Sequence, residues 1–278
     1  MVAEWIIWCV CAAFGTLSYL ALVRKYPASF RSPNFRGTSI PSSAGLAFVL
    51  TVETGYACLW PFGRGPESSL LRTAFIAAVS FGLLGLADDL YGDRSVGGLR
   101  GHFSKLITQG KVTTGVVKAV GGALAALAAG VSLHLQSPQL AILSAVLIAL
   151  TANAVNLTDT RPGRSLSFSI VLGAIGLLTG CAHFQFPAYA AFIFPLLFAA
   201  CLYLFDRAGL LMIGDCGANA IGAVIGLLWA ALTPIFAQLV FVAALIWFHW
   251  WTESHSLSRA IESSAWLKRI DRHIGVRS

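Results

Sequence analysis

The chain has 278 residues, of which 57% are hydrophobic and only 11% charged, with a net charge of +7. Soluble domains carry about 25% charged residues, so a water-soluble enzyme is excluded for want of charged surface. The basic residues are scattered between apolar runs, whereas a nucleic-acid-binding face needs a clustered patch, so no nucleic acid is expected as a partner. Six Cys with no CxxC pair read as packing residues, not as a disulfide framework or a zinc site.

A spanning helix needs about 17–25 mostly apolar residues. Nine segments qualify: 3–23, 43–62, 70–87, 113–133, 138–157, 166–183, 187–205, 218–232 and 234–252. The expected fold is therefore all-α, a polytopic membrane protein with about nine transmembrane helices over 1–252. The first segment is read as a retained span, because it lacks a basic start, carries Glu4 and shows no small-residue cleavage site. The tail, 253–278, places Leu257, Ile261, Trp266, Ile270 and Ile274 at helical spacing among Lys and Arg. That pattern reads as a basic amphipathic helix lying on the bilayer.

Sixteen Lys and Arg fall after odd-numbered spans or in the tail, and two, Arg64 and Arg72, on the opposite side. Basic loops stay in the cytoplasm. The N-terminus is thus expected outside and the C-terminus inside, in the inner (plasma) membrane, with all seven Asp on the cytoplasmic side.

Three polar clusters end three spans at that face. Asp88-Asp89 close span 3 in GLLGLADDLYGDRS. Acids there oppose the helix dipole and are costly near hydrocarbon; either they face water or a cation lies nearby. Asn153, Asn156 and Asp159 follow i, i+3, i+6 along one helix face, as ligand groups or as amides joining helices. Asp215 lies between spans 7 and 8, bracketed by Gly214 and Gly217. Asn219 follows at a helix start whose N–H groups suit a phosphate; the alternative is a cap with small-residue packing. Mg²⁺ is commonly held by one or two carboxylates plus substrate phosphates, so the three clusters together suggest a metal-assisted reaction on an anionic substrate.

The segments PNFRG (33–37), GLADDLYG (85–92), NAVNLTD (153–159) and MIGDCG (212–217) resemble, in this order, the polyprenyl-phosphate N-acetylhexosamine-1-phosphate transferases. The resemblance implies transfer of a sugar-1-phosphate from a UDP-sugar, of the UDP-N-acetylhexosamine kind, to polyprenyl (undecaprenyl) phosphate. The products are polyprenyl-diphospho-sugar and UMP, in the making of a cell-wall or other envelope polymer. It implies Mg²⁺ on Asp215 and Asp89, with Asp88, Asp89 and Asp215 catalytic. It further implies substrate contacts from Asn153, Asn156, Asp159, Lys118, Asn34, Arg36 and Asn219. Three positions depart from the family pattern. Its DGxDG reads Asp159-Thr160-Arg161-Pro162-Gly163, Ser39 stands near the place of the first-loop His, and a late multi-histidine segment is reduced to His255. A catalytically inactive homologue serving as a scaffold, a small-solute transporter or ion channel, and a membrane-bound phosphatase acting on lipid diphosphates remain the alternatives; a homodimer is left open.

Overall fold

The computed structural model describes residues 2–63, 65–92, 108, 113–180 and 186–276. Among them the protein is almost wholly helical. Helix α1 (Val2–Lys25) leads through a short α2 (Pro27–Phe30) into two strands, β1 (Arg31–Pro33) and β2 (Ser39–Pro41). Then come α3 (Gly45–Leu59), α4 (Pro66–Tyr91), α5 (Thr114–Leu133), α6 (Pro138–Thr158), α7 (Arg164–Gly180), α8 (Phe186–Asp206), α9 (Gly214–Leu232) and α10 (Ile235–Ser254). Two short helices, α11 (Leu257–Ser263) and α12 (Ala265–Ile274), close the chain. Each of the nine apolar segments falls on one of these helices. Seven are long and apolar enough to cross a membrane by length and composition, while Arg164–Gly180 and Ala191–Asp206 are shorter apolar helices. Arg94, Arg100, Lys105 and Lys111, all counted toward the cytoplasmic side, lie outside the described residues, as do Arg64 and the end of the sixth segment.

Helix α9 is the central post. It is buried continuously from Cys216 to Ala230 and packs against α6, α4, α7 and α3. The sequence allows this enclosure because glycines face the neighbouring backbones. A Cβ on Gly222 would lie 2.6 Å from Ala152 Cα, and one on Gly226 would lie 2.6 Å from Ile148 Cα. Such small residues let membrane helices approach closely, where dispersion contacts replace the hydrophobic drive that lipid cannot supply. Gly226→Val should force α6 and α9 apart. Loss of detergent-stable protein, read by fluorescence-detected size exclusion, is the expected result; wild-type yield would show that the helices can slide.

The strand pair was not anticipated from the sequence. β1 and β2 are antiparallel, with Arg31 opposite Pro41 and Pro33 opposite Ser39. Asn34 makes the turn: its side-chain oxygen accepts from the N–H groups of Arg36 (2.9 Å) and Thr38 (3.1 Å), and Gly37 takes φ +76°. The hairpin then ties the first loop to the start of α9. Met212 N–H donates to the Pro41 carbonyl (2.9 Å), and Ala44 and Gly45 N–H donate to the Met212 and Ile213 carbonyls (2.9 Å each).

The tail also differs from expectation. It forms two helices, because Ser264 adopts an extended backbone and caps α12 by accepting from Leu267 N–H (3.4 Å). It is docked on protein. The Tyr203 hydroxyl donates to the Ile274 carbonyl (2.8 Å), and Arg207 donates to the His273 carbonyl (3.0 Å). The Arg164 guanidinium grips Asp271 with two bonds of 2.6 and 3.0 Å, both groups being buried. Trp266, Leu267 and Ile270 remain exposed on α12, so the amphipathic reading survives on one side of that helix.

Candidate active site

Asp88 and Asp89 sit in the last turn of α4, and neighbouring residues on a helix point about 100° apart. The two carboxylates therefore go to different places. Asp88 faces α5, where Lys118 Nζ lies 3.5 Å from its Oδ2. Asp89 faces the start of α9 and accepts from Asp215 N–H (2.9 Å) and Cys216 N–H (3.1 Å), one on each oxygen. A carboxylate at a helix N-terminus satisfies donors that lack intrahelical partners and meets the positive end of the dipole. Gly214 is required here twice over: its φ is +67°, and a Cβ would meet Asp89 Oδ2 at 2.6 Å.

This cap corrects the expected element. Asp215 is not in a loop between spans; it occupies the first turn of α9, which begins at Gly214 and not at 218. Its carboxylate pairs with Lys118 Nζ. The Asn156 amide completes the group: turned so that each end meets a complementary neighbour, its nitrogen donates to Asp215 Oδ1 (3.1 Å) and its oxygen accepts from Lys118 Nζ (3.1 Å). Four helices thus bring Asp88, Lys118, Asn156 and Asp215 to one point. Asn219, expected at the helix start, lies a turn inside and donates to the Asp215 carbonyl (2.6 Å). Asn153 is half-buried one turn deeper on α6 than Asn156.

Beside this centre opens a cavity of about 450 Å³, lined by the hairpin, by Asp89 and Asp215, and by the 159–162 loop. Asn34 lines it and donates to the Gly209 carbonyl (3.2 Å), which ties the hairpin to that loop. Arg36 is exposed, stacked over the Phe35 ring at 5.0 Å. Asp159 lies at the cavity wall and accepts from the Ser165 hydroxyl (2.7 Å). Burial, reinforced by the nearby Asp206 carboxylate and opposed by Ser165, pushes its pKa up to about 8. Asp206 itself also lines the cavity and accepts from Gly163 N–H (2.7 Å). Nothing in the sequence singled it out except its position as an acid closing an apolar run. Arg161, likewise unsuspected as a site residue, lines the same space.

Asp159 makes the protein's stability depend on pH. The folded protein holds a proton there that the unfolded chain, with a carboxyl near ~4, has released. Stability from this group is complete below about pH 4 and is lost as pH rises toward 8, at no more than about 1.4 kcal/mol per pH unit. The melting temperature in detergent should fall across that window, and Asp159→Asn should flatten the slope. An unchanged slope in the variant would assign the dependence to another group.

The fold and the site define a helical membrane protein with an ammonium–carboxylate centre at one end of its bundle, opening on a polar cavity. The chain belongs to Glycosyl transferase family 4, whose family model matches residues 71–234. The match runs from α4 through α9 and so takes in Asp88, Asp89, Lys118, Asn153, Asn156, Asp159 and Asp215. It does not include the hairpin or the tail. No curated protein matches the chain.

Proposed function

We propose that this protein transfers a sugar-1-phosphate from a UDP-sugar, of the N-acetylhexosamine class, to polyprenyl phosphate, releasing UMP. The observation that carries the reading is the convergence of Asp88, Asp215 and Asn156 on Lys118 beside the cavity, in a chain of Glycosyl transferase family 4. The reaction forms a bond from a lipid-phosphate oxygen to the β-phosphorus of the donor, and the bond from that phosphorus to the bridging oxygen breaks toward UMP. Lys118 supplies positive charge where the diphosphate becomes more negative. Asp88 and Asn156 hold the Lys118 ammonium in place before substrate arrives. Asn156 and Asp159 face the nucleotide side.

Mg²⁺ fits the donor set. Asp88 and Asp215 already converge on a cation, and two carboxylates plus substrate phosphates suffice for this ion. No group of three or more His, Cys, Asp or Glu that could enclose a metal occurs among the described residues, so substrate oxygens would complete its shell. When bound, the ion neutralises charge on the diphosphate and orients the two reactants. Asp215 is its principal ligand in this reading. Asp89, with a backbone N–H on each oxygen, serves to hold Asp215 in place.

The proposed setting is nine spans in the inner membrane, N-terminus out and C-terminus in, with the site facing the cytoplasm. A reporter fused after Gln136 should then read outside and one fused after Ser278 inside; an outside C-terminus would reverse the site's exposure. The reaction is tested with membranes carrying the protein, a panel of radiolabelled UDP-sugars, polyprenyl phosphate and Mg²⁺. UMP release that a chelator abolishes is the expected result. Absence of UMP from every donor would overturn the assignment.

A further inference from the structure

A second cavity, of about 260 Å³, lies between the tail and the 161–164 loop, and it shares Phe35 and Arg161 with the first. Its cationic lining comes from Arg161, Arg164, Lys268 and Arg272, and its acids are Glu262 and Asp271. The charges do not cancel. Asp271 is committed to Arg164 through both oxygens. Among the described residues, Arg161, Lys268 and Arg272 have no carboxylate partner, which leaves three free cations against Glu262. Positive side chains held around a concave space, next to a site for an anionic donor, constitute an anion subsite.

We infer that this cavity receives an acidic group carried on the sugar of the donor, such as the carboxylate of a hexuronate, with Lys268 and Arg272 as the recognising cations. The inference rests on the transfer reading above and narrows its donor, within the N-acetylhexosamine class, to those whose sugar also carries a negative charge. Two observations favour a soluble donor over a lipid headgroup. At about 100° per residue, Trp266 and Ile270 share one side of α12, and Lys268 and Arg272 share the opposite side. The exposed apolar residues mark the side that would meet the bilayer, so the two cations turn away from it. The cavity also shares Phe35 and Arg161 with the first as lining, so the subsite adjoins the space lined by Asp89 and Asp215.

The test uses the full chain purified in detergent and equilibrium dialysis at low salt with radiolabelled UDP-N-acetylglucosaminuronate and UDP-N-acetylglucosamine. These two donors differ by a carboxylate in place of a hydroxymethyl group. UDP-N-acetylglucosaminuronate should bind about tenfold to a hundredfold more tightly, the range expected for charge-assisted hydrogen bonds. Lys268→Gln with Arg272→Gln should bring the two affinities to within about twofold, and raised salt should shrink the preference through screening. Both residues are exposed and free of ion pairs, so the variant should fold; protease resistance of the tail checks that it stays docked. Equal affinities in the wild type, or a preference that survives the double variant, would overturn the inference. UMP release from UDP-N-acetylglucosamine without any charge preference removes the subsite and leaves the transferase reading intact. A charge preference that the variant abolishes, with no UMP from any donor, removes the transferase reading and keeps the subsite.

Discussion

Asp215→Asn should lower UMP release by about 10²–10³, the loss typical when one charged contact made in the transition state is removed. The substitution preserves shape and most hydrogen-bonding capacity, but it deletes the charge that Lys118 and a metal would both use. Its position in the first turn of the most enclosed helix means that neighbouring atoms cannot move to replace it. Asp88→Asn should cost a comparable factor, since it removes the second carboxylate on Lys118. Asp89→Asn tests the capping role separately. An amide keeps one acceptor for the two N–H groups and loses the other, so the protein should lose stability as well as turnover, with melting temperature as the second readout. All variants are compared at matched expression and saturating Mg²⁺. Wild-type turnover from Asp215→Asn would remove the metal assignment and most of the mechanism with it.

Asp271→Ala should release the tail. The partner left behind, Arg164, is buried and also donates to the hydroxyls of Thr160 (2.9 Å) and Ser258 (2.8 Å). Removing one member of such a pair costs about 3–5 kcal/mol, because the survivor remains charged and unneutralised in the interior. The cost falls locally, where the tail meets the 160–164 loop, so it is read as trypsin cleavage after Lys268 or Arg269. The cleavage rate should rise by a factor on the order of 10²–10³. Arg164→Met together with Asp271→Leu should recover most of the protection, since two apolar side chains need no counter-charge. Unchanged cleavage in Asp271→Ala would show that the Tyr203 and Arg207 contacts suffice to hold the tail.

The helices were legible because lipid imposes length and apolarity on any segment that crosses it. Each apolar segment falls on a helix among the described residues. What escaped was set by long-range pairing. The start of α9 read as a turn because Gly214, Asp215 and Gly217 look like turn residues in isolation. The group that converts them to a helix start, the Asp89 carboxylate, is 126 residues away in sequence. The hairpin escaped for a similar reason: three-residue strands carry no periodicity. Asn34 and Arg36 were expected to touch substrate, and Asn34 does line the cavity, but its polar atoms are spent on building the turn. The tail's expected stripe is split between two helices at Ser264, with only Trp266 and Ile270 of it exposed, and the buried Asp271 was invisible until its partner Arg164 was placed.

The enclosure of α9 separates the reacting end of the protein from the thickness of the bilayer. Lipid-facing residues belong to the rim: Ile6, Phe14 and Leu17 on α1, Val120 and Leu124 on α5, Phe236 and Trp247 on α10. A thicker or thinner membrane acts on those helices, which can tilt or draw their ends inward at a cost of fractions of a kcal/mol per Å of mismatch. Helix α9 has almost no lipid surface on which that strain can act. Asp215 therefore rides on a post insulated from hydrophobic mismatch, whereas Lys118 sits on the rim helix α5, so lipids of different chain length should act on the Asp215–Lys118 pair through the Lys118 side alone.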